Sequence, residues 1–364
     1  MVWFFSSPIG LGHITRDIAI INKIMQLFNY NNFEIVTGST AFDFLSNSNN
    51  ITPFNTNILV HNLYNPPTFS IINGRLIHGF MWILKYLFYY NNCKNSLTEF
   101  FSHNNYNINS KGHDLIISDE DFASLSVTKS SNIKRVFITD IINTKFSKSL
   151  ISRKLEEILN KQMLNLIKSS ECVIIPDKGD DKDNFYYVGP IVREINDTKE
   201  ELRKKFGFSK TTILVSVGGT TAGSYLLKKA IESFLRLKNN NEYNLVILSR
   251  PDISLPKLGP NCKFIGLRNN GHEYLYASDL VISLAGKSTI DESMVYGIPG
   301  IFIPIKDHFE QEDRARSLGF KFEDIYKLDI LIEEMLTNTN FKKTNNINNG
   351  VQKASEIIYR ILNN

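Results

Sequence analysis

The sequence is short of cysteine, and the three it has, Cys93, Cys172 and Cys262, are far apart. No CxxC pair and no metal-ligand spacing occurs. Disulfide scaffolds and zinc modules are excluded, and the thiols read as reduced, buried and inert. No run reaches the roughly 20 apolar residues that a membrane-spanning helix needs. Met1-Val2-Trp3-Phe4-Phe5 has no basic stretch before it and no cleavage site after it, so it reads as a strand, not a secretory signal. An excess of one charge is also missing. Lys and Arg number 41 against 37 Asp and Glu, leaving +4, which is too little to argue for nucleic acid without a localised patch. What remains is an ordinary globular composition, 42% hydrophobic and 21% charged, on 364 residues. That length suits two domains or one large one. The Asn-rich stretches at 47–50, 239–241 and 345–349 read as surface loops.

Residues 278–316 carry the densest signal. Asp279–Ser283 is a short apolar run, hence a buried strand. Gly286 then lets the backbone approach a ligand closely, and Ser288 or Thr289 can cap the next helix. Glu292 lies four residues after Ser288, on the same face. Gly297 stops the helix, Pro299 follows, and Ile301–Ile305 is a second strand. A polar loop leads to a further helix near Glu310-Gln311. Two strand ends thus present two polar helix starts, and ligands of open α/β sheets bind at such an edge. Free N–H groups at a helix start hold pyrophosphate, and a carboxylate one turn along can accept ribose hydroxyls. An ordinary βαβ unit with capped helices would show the same residues.

The chain opens in a similar way. Strand Val2–Ser6 meets Gly10-Leu11-Gly12-His13, and a helix runs from about Ile14 to Phe28. No third glycine and no acid at the end of the next strand, Phe33–Thr37, complete a dinucleotide fingerprint. His13 sits at the loop tip, either facing a substrate hydroxyl or capping its own helix. Leu76–Tyr90 is aromatic and apolar, studded with His78 and Lys85 and preceded by Arg75. It reads either as an interfacial membrane helix or as a buried helix. Asp119-Glu120-Asp121 follows the strand Asp114–Ser118. Three readings stay open for it: a D-x-D metal site, a helix cap, or a catalytic carboxylate. Strands are expected at Arg135–Thr139 and Glu171–Ile175, and a long helix at about 149–169.

A linker at 189–210 includes a charged run, 199–205, that reads as a solvated helix. The second half then repeats the opening. Strand Thr212–Val217 runs into Gly218-Gly219-Thr220-Thr221-Ala222-Gly223, an anion cradle without the ending of a P-loop. Strands at 243–249 and 263–266 follow, the latter running into Leu267-Arg268. An amphipathic helix at about 351–362 ends the chain.

Two α/β halves that each open strand, glycine loop, helix, with an acid on a late helix, resemble the GT-B glycosyltransferases. The nearer likeness is to the branch containing MurG, which adds N-acetylglucosamine to lipid-linked sugars. Gly10-Leu11-Gly12-His13 resembles the His-terminated N-terminal loop of that branch. Gly218–Gly223 resembles its GGS-type phosphate loop. Residues 283–311 resemble its donor signature, with Gly286, Ser288, Thr289 and Glu292 on the loop and ribose acid and Glu310-Gln311 on the sugar-reading pair. The N-terminal loop has fewer glycines than MurG's, as in archaeal members, and the acceptor loop of MurG has no match; Asp119-Glu120-Asp121 stands in its place.

The resemblance implies an α/β GT-B fold of two Rossmann-like domains facing a cleft. An N-terminal acceptor domain (1–188) would be joined by the linker to a nucleotide-sugar domain (211–364), whose last helix can pack back on the first. It implies an inverting transfer, without metal or other cofactor, from a UDP-sugar to a polyprenyl (dolichyl-type) phosphate-linked sugar. His13 is the first choice of base and Glu120 the second. Leu267 and Arg268 would border the uracil, Glu292 the ribose, and Ser288 with Thr220-Thr221 the pyrophosphate; Gly12 and Gly219 complete the donor-binding set. The 76–90 segment would face the cytoplasmic side of a membrane, and no nucleic acid partner is expected. A UDP-sugar 2-epimerase and a non-catalytic docking subunit are the competing readings.

Overall fold

The computed structural model describes residues 1–46, 58–103, 115–250, 253–337 and 347–363. The Asn stretch at 47–50, the expected strand start at 114 and residues 345–346 lie outside them. The chain divides into two compact units. Residues 1–68, 78–192 and 349–364 form the first; residues 69–77 and 193–348 form the second.

Unit 1 begins with β1 (Val2–Ser6), α1 (Gly12–Phe28), β2 (Phe33–Gly38), α2 (Ser39–Ser46) and β3 (Leu59–Tyr64). The chain then gives unit 2 a two-stranded hairpin, β4 (Ile71–Ile72) and β5 (Arg75–Leu76). Unit 1 resumes with α3 (Gly79–His103), β6 (Leu115–Asp119), α4 (Phe122–Val127), β7 (Lys134–Ile138), α5 (Leu150–Ile167), β8 (Cys172–Ile175) and β9 (Phe185–Tyr187). Its seven strands run parallel in the order β3-β2-β1-β6-β7-β8-β9. Strands such as Val2–Ser6, buried at every position, read as unbroken apolar runs because a parallel sheet is covered on both faces.

Unit 2 continues with α6 (Lys199–Phe206), β10 (Thr211–Ser216), α7 (Ser224–Arg236), β11 (Tyr243–Leu248), β12 (Cys262–Phe264), α8 (Gly271–Ala277), β13 (Leu280–Leu284), α9 (Lys287–Tyr296), β14 (Gly300–Ile303), α10 (Phe309–Ser317) and α11 (Leu328–Thr337). Its five strands are parallel in the order β12-β11-β10-β13-β14. Along β10, Ile213 and Val215 enter one core while Leu214 enters another, so each face of the sheet has its own apolar layer. The last helix, α12 (Val351–Asn363), belongs to unit 1, where Tyr359 stacks on Phe28 of α1 with centroids 3.8 Å apart.

Several expected boundaries shift. The change of unit falls between Val192 and Arg193. Much of the expected linker is therefore built into unit 2: Leu202 of α6 is fully buried beside Phe208, while the helix's charges stay outward. A Thr198–Glu201 capping box starts α6 and left-handed Gly207 ends it. The expected cap of α9 is replaced. Gly286 takes that position with no side-chain bond, and Ser288 and Thr289 lie inside the helix. Gly297 ends α9 in the left-handed conformation at φ 70°. The aromatic stretch is longer than expected and enters its helix later, at Gly79, because the residues before it form β4 and β5. In α3, Ile83, Leu97 and Phe101 are buried while Met81 and Phe88 are exposed. Among the described residues, no helix is long and apolar enough to cross a membrane.

Candidate active site

In unit 1 the strand order reverses at β1 and β6, which lie side by side with Ser6 in register with Asp119. Such a switch point opens a crevice at the carboxyl ends of the strands. Gly10, at φ 85°, turns the chain from β1 into α1 and brings His13 over the end of β6. His13 Nδ1 lies 2.9 Å from Asp119 Oδ1. Arg16, one turn further along α1, donates from Nε to Asp119 Oδ2 at 2.8 Å and through Nη2 to Oδ1. Asp119 is fully buried. Burial would raise its pKa, but Arg16 and then His13 hold it below the usual carboxylate range. A buried carboxylate on Nδ1 fixes the imidazole and leaves Nε2 as the working nitrogen.

Nε2 faces Glu120, with 3.7 Å to Oε2. Burial would depress the His13 pKa, but Asp119 and Glu120 carry it up to about 9. Burial and the neighbouring Asp140 push Glu120 up to about 8, against the pull of His13 and Arg16. Glu120 also holds a left-handed backbone at φ 49°. Its Oε1 accepts from Thr139 Oγ1 at 3.1 Å and from the Asp140 amide at 3.2 Å. A non-glycine residue stays in that conformation only where its surroundings over-determine it, and such strain gathers at functional sites. The two candidate bases are therefore neighbours at one strand end.

The acidic triplet divides its work. Asp119 orients His13, Glu120 faces it, and Asp121 caps α4 by accepting from the Ala123 amide at 3.0 Å and from the Tyr64 hydroxyl at 2.5 Å. The cap reading fits Asp121, while Asp119 is taken up by His13 and Arg16 and Glu120 faces His13 Nε2. Gly12 forms the first residue of α1.

Unit 2 repeats the topology with different chemistry. The reversal falls at β10 and β13, where the Ser283 hydroxyl donates to Ser216 O at 2.6 Å. Gly218, at φ 77°, starts the loop after β10. Thr220 Oγ1 accepts from the Ala222 amide at 3.4 Å, and Thr221 opens a single helical turn before α7. Gly223 is required by packing, since a Cβ there would sit 2.4 Å from that of Val217. Arg250, just past β11, donates from Nη1 to Gly219 O at 3.3 Å. After β13, the uncapped start of α9 presents the first-turn amides of Lys287, Ser288 and Thr289.

Glu292, four residues past Ser288, is paired with Arg193 Nη2 at 3.1 Å. Burial raises its pKa while Arg193 opposes the rise. Arg193 also donates from Nη1 to Asn269 O at 2.6 Å, and the Tyr296 hydroxyl donates to Arg193 O at 2.7 Å. Gly266, at φ 70°, turns β12 toward Leu267 and Arg268; Arg268 Nε donates to Ile265 O at 2.8 Å. On α10, Glu310 pairs with Arg314, and Gln311 Oε1 accepts from the Ile305 amide at 3.0 Å.

The structure thus gathers His13 and Glu120 at one sheet edge. It gathers Gly219, Thr220, Thr221, Gly286, Ser288, Thr289 and Glu292 around the other. Sequence reasoning passed over Asp119 as the orienting acid, and over Arg16, Arg193 and Arg250. One signal was available for Arg16: it follows His13 by three positions, on the same face of the helix.

Residues 212–361 match the Glycosyltransferase family 28 C-terminal domain. The chain is 24% identical over 216 residues to an uncharacterized glycosyltransferase of Methanopyrus kandleri, covering 56% of this chain and 60% of that protein. It is 27% identical over 208 residues to the UDP-N-acetylglucosamine–N-acetylmuramyl-(pentapeptide) pyrophosphoryl-undecaprenol N-acetylglucosamine transferase of Acetivibrio thermocellus, covering 50% and 56%. About half the length of the curated relatives is spanned in these matches, 60%, 42% and 58% for three of them. Among solved structures, the glycotransferase of kitacinnamycin superposes with a TM-score of 0.66 at 13% identity, over 99% of this chain and 98% of that one. Spinosyn rhamnosyltransferase SpnG complexed with thymidine diphosphate gives 0.63 at 12% identity over all of both chains. The two parallel, doubly covered sheets and these likenesses make the fold GT-B, that of the glycosyltransferases.

Proposed function

We propose that the chain is an inverting glycosyltransferase that moves a sugar from a UDP-sugar to a hydroxyl of a lipid-linked acceptor. The observation that carries this reading is the His13–Asp119 pair, whose free imidazole nitrogen faces Glu120 at a strand switch point. His13 Nε2 takes the proton of the attacking hydroxyl. The new bond forms between that oxygen and the anomeric carbon as the bond to the diphosphate breaks, and direct attack inverts the carbon. Asp119 steadies the imidazolium that results. Glu120 is a second acceptor, to which the proton can pass.

In unit 2 the departing UDP needs positive charge. The first-turn amides of α9, the 218–221 loop and the Arg250 guanidinium supply it, and this supports transfer without a metal. Leu267 and Arg268 border the base, Glu292 and Arg193 meet the ribose side, and Glu310-Gln311 read the sugar. N-acetylglucosamine as the sugar, and a polyprenyl diphosphate carrier, rest on the name of the Acetivibrio relative.

A membrane-held acceptor is supported by unit 1. Met81 and Phe88 are exposed on α3, and four large apolar side chains are exposed on α5: Leu150 and Ile151 at 78% each, Leu155 at 48% and Ile158 at 52%. Arg153, Lys154 and Lys161 stand among them. An apolar face edged with cations suits an anionic lipid surface. Trp82, by contrast, turns toward Tyr86 and Phe146, with centroids 5.4 and 5.5 Å away. Nucleotide sugars and free thiols suit a peripheral position on the cytoplasmic face.

A screen of UDP-sugars against a polyprenyl-diphosphate-sugar acceptor, read by mass, tests the reading. A product heavier by one sugar is expected. An epimer formed from UDP-sugar alone would replace transferase with epimerase. UDP binding without transfer to any acceptor would leave a docking subunit. Flotation with anionic vesicles should weaken in salt and fall in an Ile151→Glu/Leu155→Glu variant; unchanged flotation would remove α5 from the membrane face.

A further inference from the structure

The hairpin at 69–77 is a short excursion. The residues on both sides of it belong to unit 1, yet these nine lie in unit 2. Its turn is Asn73-Gly74, at φ 49° and 75°, the two left-handed residues of a two-residue hairpin. The Ile77 amide closes it onto Ser70 O at 2.8 Å. It is seated on the loop that joins β14 to α10. The Leu76 amide donates to Lys306 O at 2.8 Å, and the Lys306 amide donates to Gly74 O at 2.9 Å, a parallel bridge. Arg75 Nε lies 3.2 Å from Asp307 Oδ2. The Phe69 ring packs against His308 with centroids 5.2 Å apart. Gly74 fits so closely that an added Cβ would come within 2.9 Å of both Phe322 and Tyr225.

These contacts fall on three successive residues, Lys306, Asp307 and His308, and the middle one is strained. Asp307 holds φ 67°, a conformation that a non-glycine residue keeps only when its neighbours enforce it. Within the loop, the Asp307 amide donates to Glu312 Oε1 at 3.0 Å, and the His308 amide to Ile305 O at 3.1 Å. His308 is the residue on which α10 begins, two positions before Glu310. A change in φ at Asp307 would therefore swing the first turn of α10.

We propose that the 69–77 hairpin braces the donor-sugar loop and that Arg75, through Asp307, is a positioning residue for sugar selection by Glu310 and Gln311. This rests on the reading of unit 2 as a UDP-sugar site. The brace acts on the sugar end of the donor. The groups assigned to the nucleotide, Glu292 and the first turn of α9, lie outside its contacts, so it should alter how the sugar is held and leave the nucleotide unaffected.

Titration calorimetry separates the two. UDP, UDP-glucose, UDP-galactose and UDP-N-acetylglucosamine are each titrated into the wild type, Arg75→Ala, and the charge-swapped pair Arg75→Asp/Asp307→Arg, with melting temperature as a folding control. The expected result is an unchanged Kd for UDP in all three proteins. In Arg75→Ala the preferred UDP-sugar should bind roughly two- to fivefold more weakly, as loss of a partly exposed ion pair implies. The spread among the three sugars should narrow, and the swapped pair should restore it. The proposal is overturned if Arg75→Ala keeps the wild-type spread, or if UDP itself weakens as much as the UDP-sugars do. If the wild type binds no UDP, the donor-site reading fails first and this inference fails with it, an outcome distinct from UDP binding that Arg75 does not tune.

Discussion

The edge of β1 and β6 and the edge of β10 and β13 are the same construction carrying different side chains. Each is a switch point in a parallel sheet, reached through a strand, a left-handed glycine and a helix. At the first edge stand Asp17, Asp119, Glu120 and Asp140, against one permanent cation, Arg16. Asp17 is fully buried, and burial, with Asp119 next, pushes its pKa well up. At the second edge stand Arg193, Arg250, Lys287 and the uncapped amides of α9, with Glu292 held by Arg193 and Asp291 by Lys287. Carboxyl groups around a histidine raise its proton affinity, which suits the base of the proposed reaction. Cations and free amides suit the diphosphate of the proposed donor. Topology supplies the crevice in both cases, and side-chain charge decides its chemistry.

The comparison breaks most plainly at His13. His13→Ala should lower transfer by about 10²- to 10⁴-fold, the usual range for a lost general base, while the calorimetric Kd for UDP stays unchanged. Equal loss of both would mean that the edges do not divide the work. Asp119→Asn comes next. It frees Nδ1 and leaves Arg16 without its fully buried partner, so transfer should fall by roughly 10²-fold and the melting temperature should drop as well. Full activity in that variant would remove Asp119 from the base. Glu292→Ala addresses the other edge and should weaken UDP by about tenfold, as a lost hydrogen bond to a charged acceptor does. An unaltered UDP affinity there would move the ribose elsewhere.

The smallest effect is a shift of pH. His13 holds its proton up to about pH 9 and Glu120 to about pH 8, so the free base accumulates only as pH rises through that window. Transfer should therefore climb from pH 7 toward pH 9. Glu120→Gln removes an anion that raises His13. The pKa of His13 falls, and the rise should move to lower pH. A profile displaced upward or left in place would show that Glu120 does not act on His13.

Much of this was legible along the chain. The alternation of apolar strands with glycine loops located β1, β10, β13 and β14, since a buried parallel strand must be apolar at nearly every position. Gly297 marked the end of α9 because only glycine enters the left-handed region freely. His13, Glu120 and Glu292 stood out as polar groups at strand ends or helix starts. Their partners did not. Asp119 is 106 positions from His13 and Arg193 is 99 from Glu292, and no local period joins them. The hairpin is announced by Asn73-Gly74 between apolar pairs, and the aromatic segment expected from Leu76 overlaps only the end of its second strand.

Two α/β halves, each with a glycine loop feeding a helix, are written locally along the chain, because hydrophobic period and turn residues act over a few positions. Which charges share an edge was settled by the assembled sheets. It set His13 against Asp119 and Glu120, gave Glu292 to Arg193, and carried residues 69–77 into the second unit. Those pairings depend on strand order and register, and strand order is a property of the folded sheet that no short stretch of chain contains.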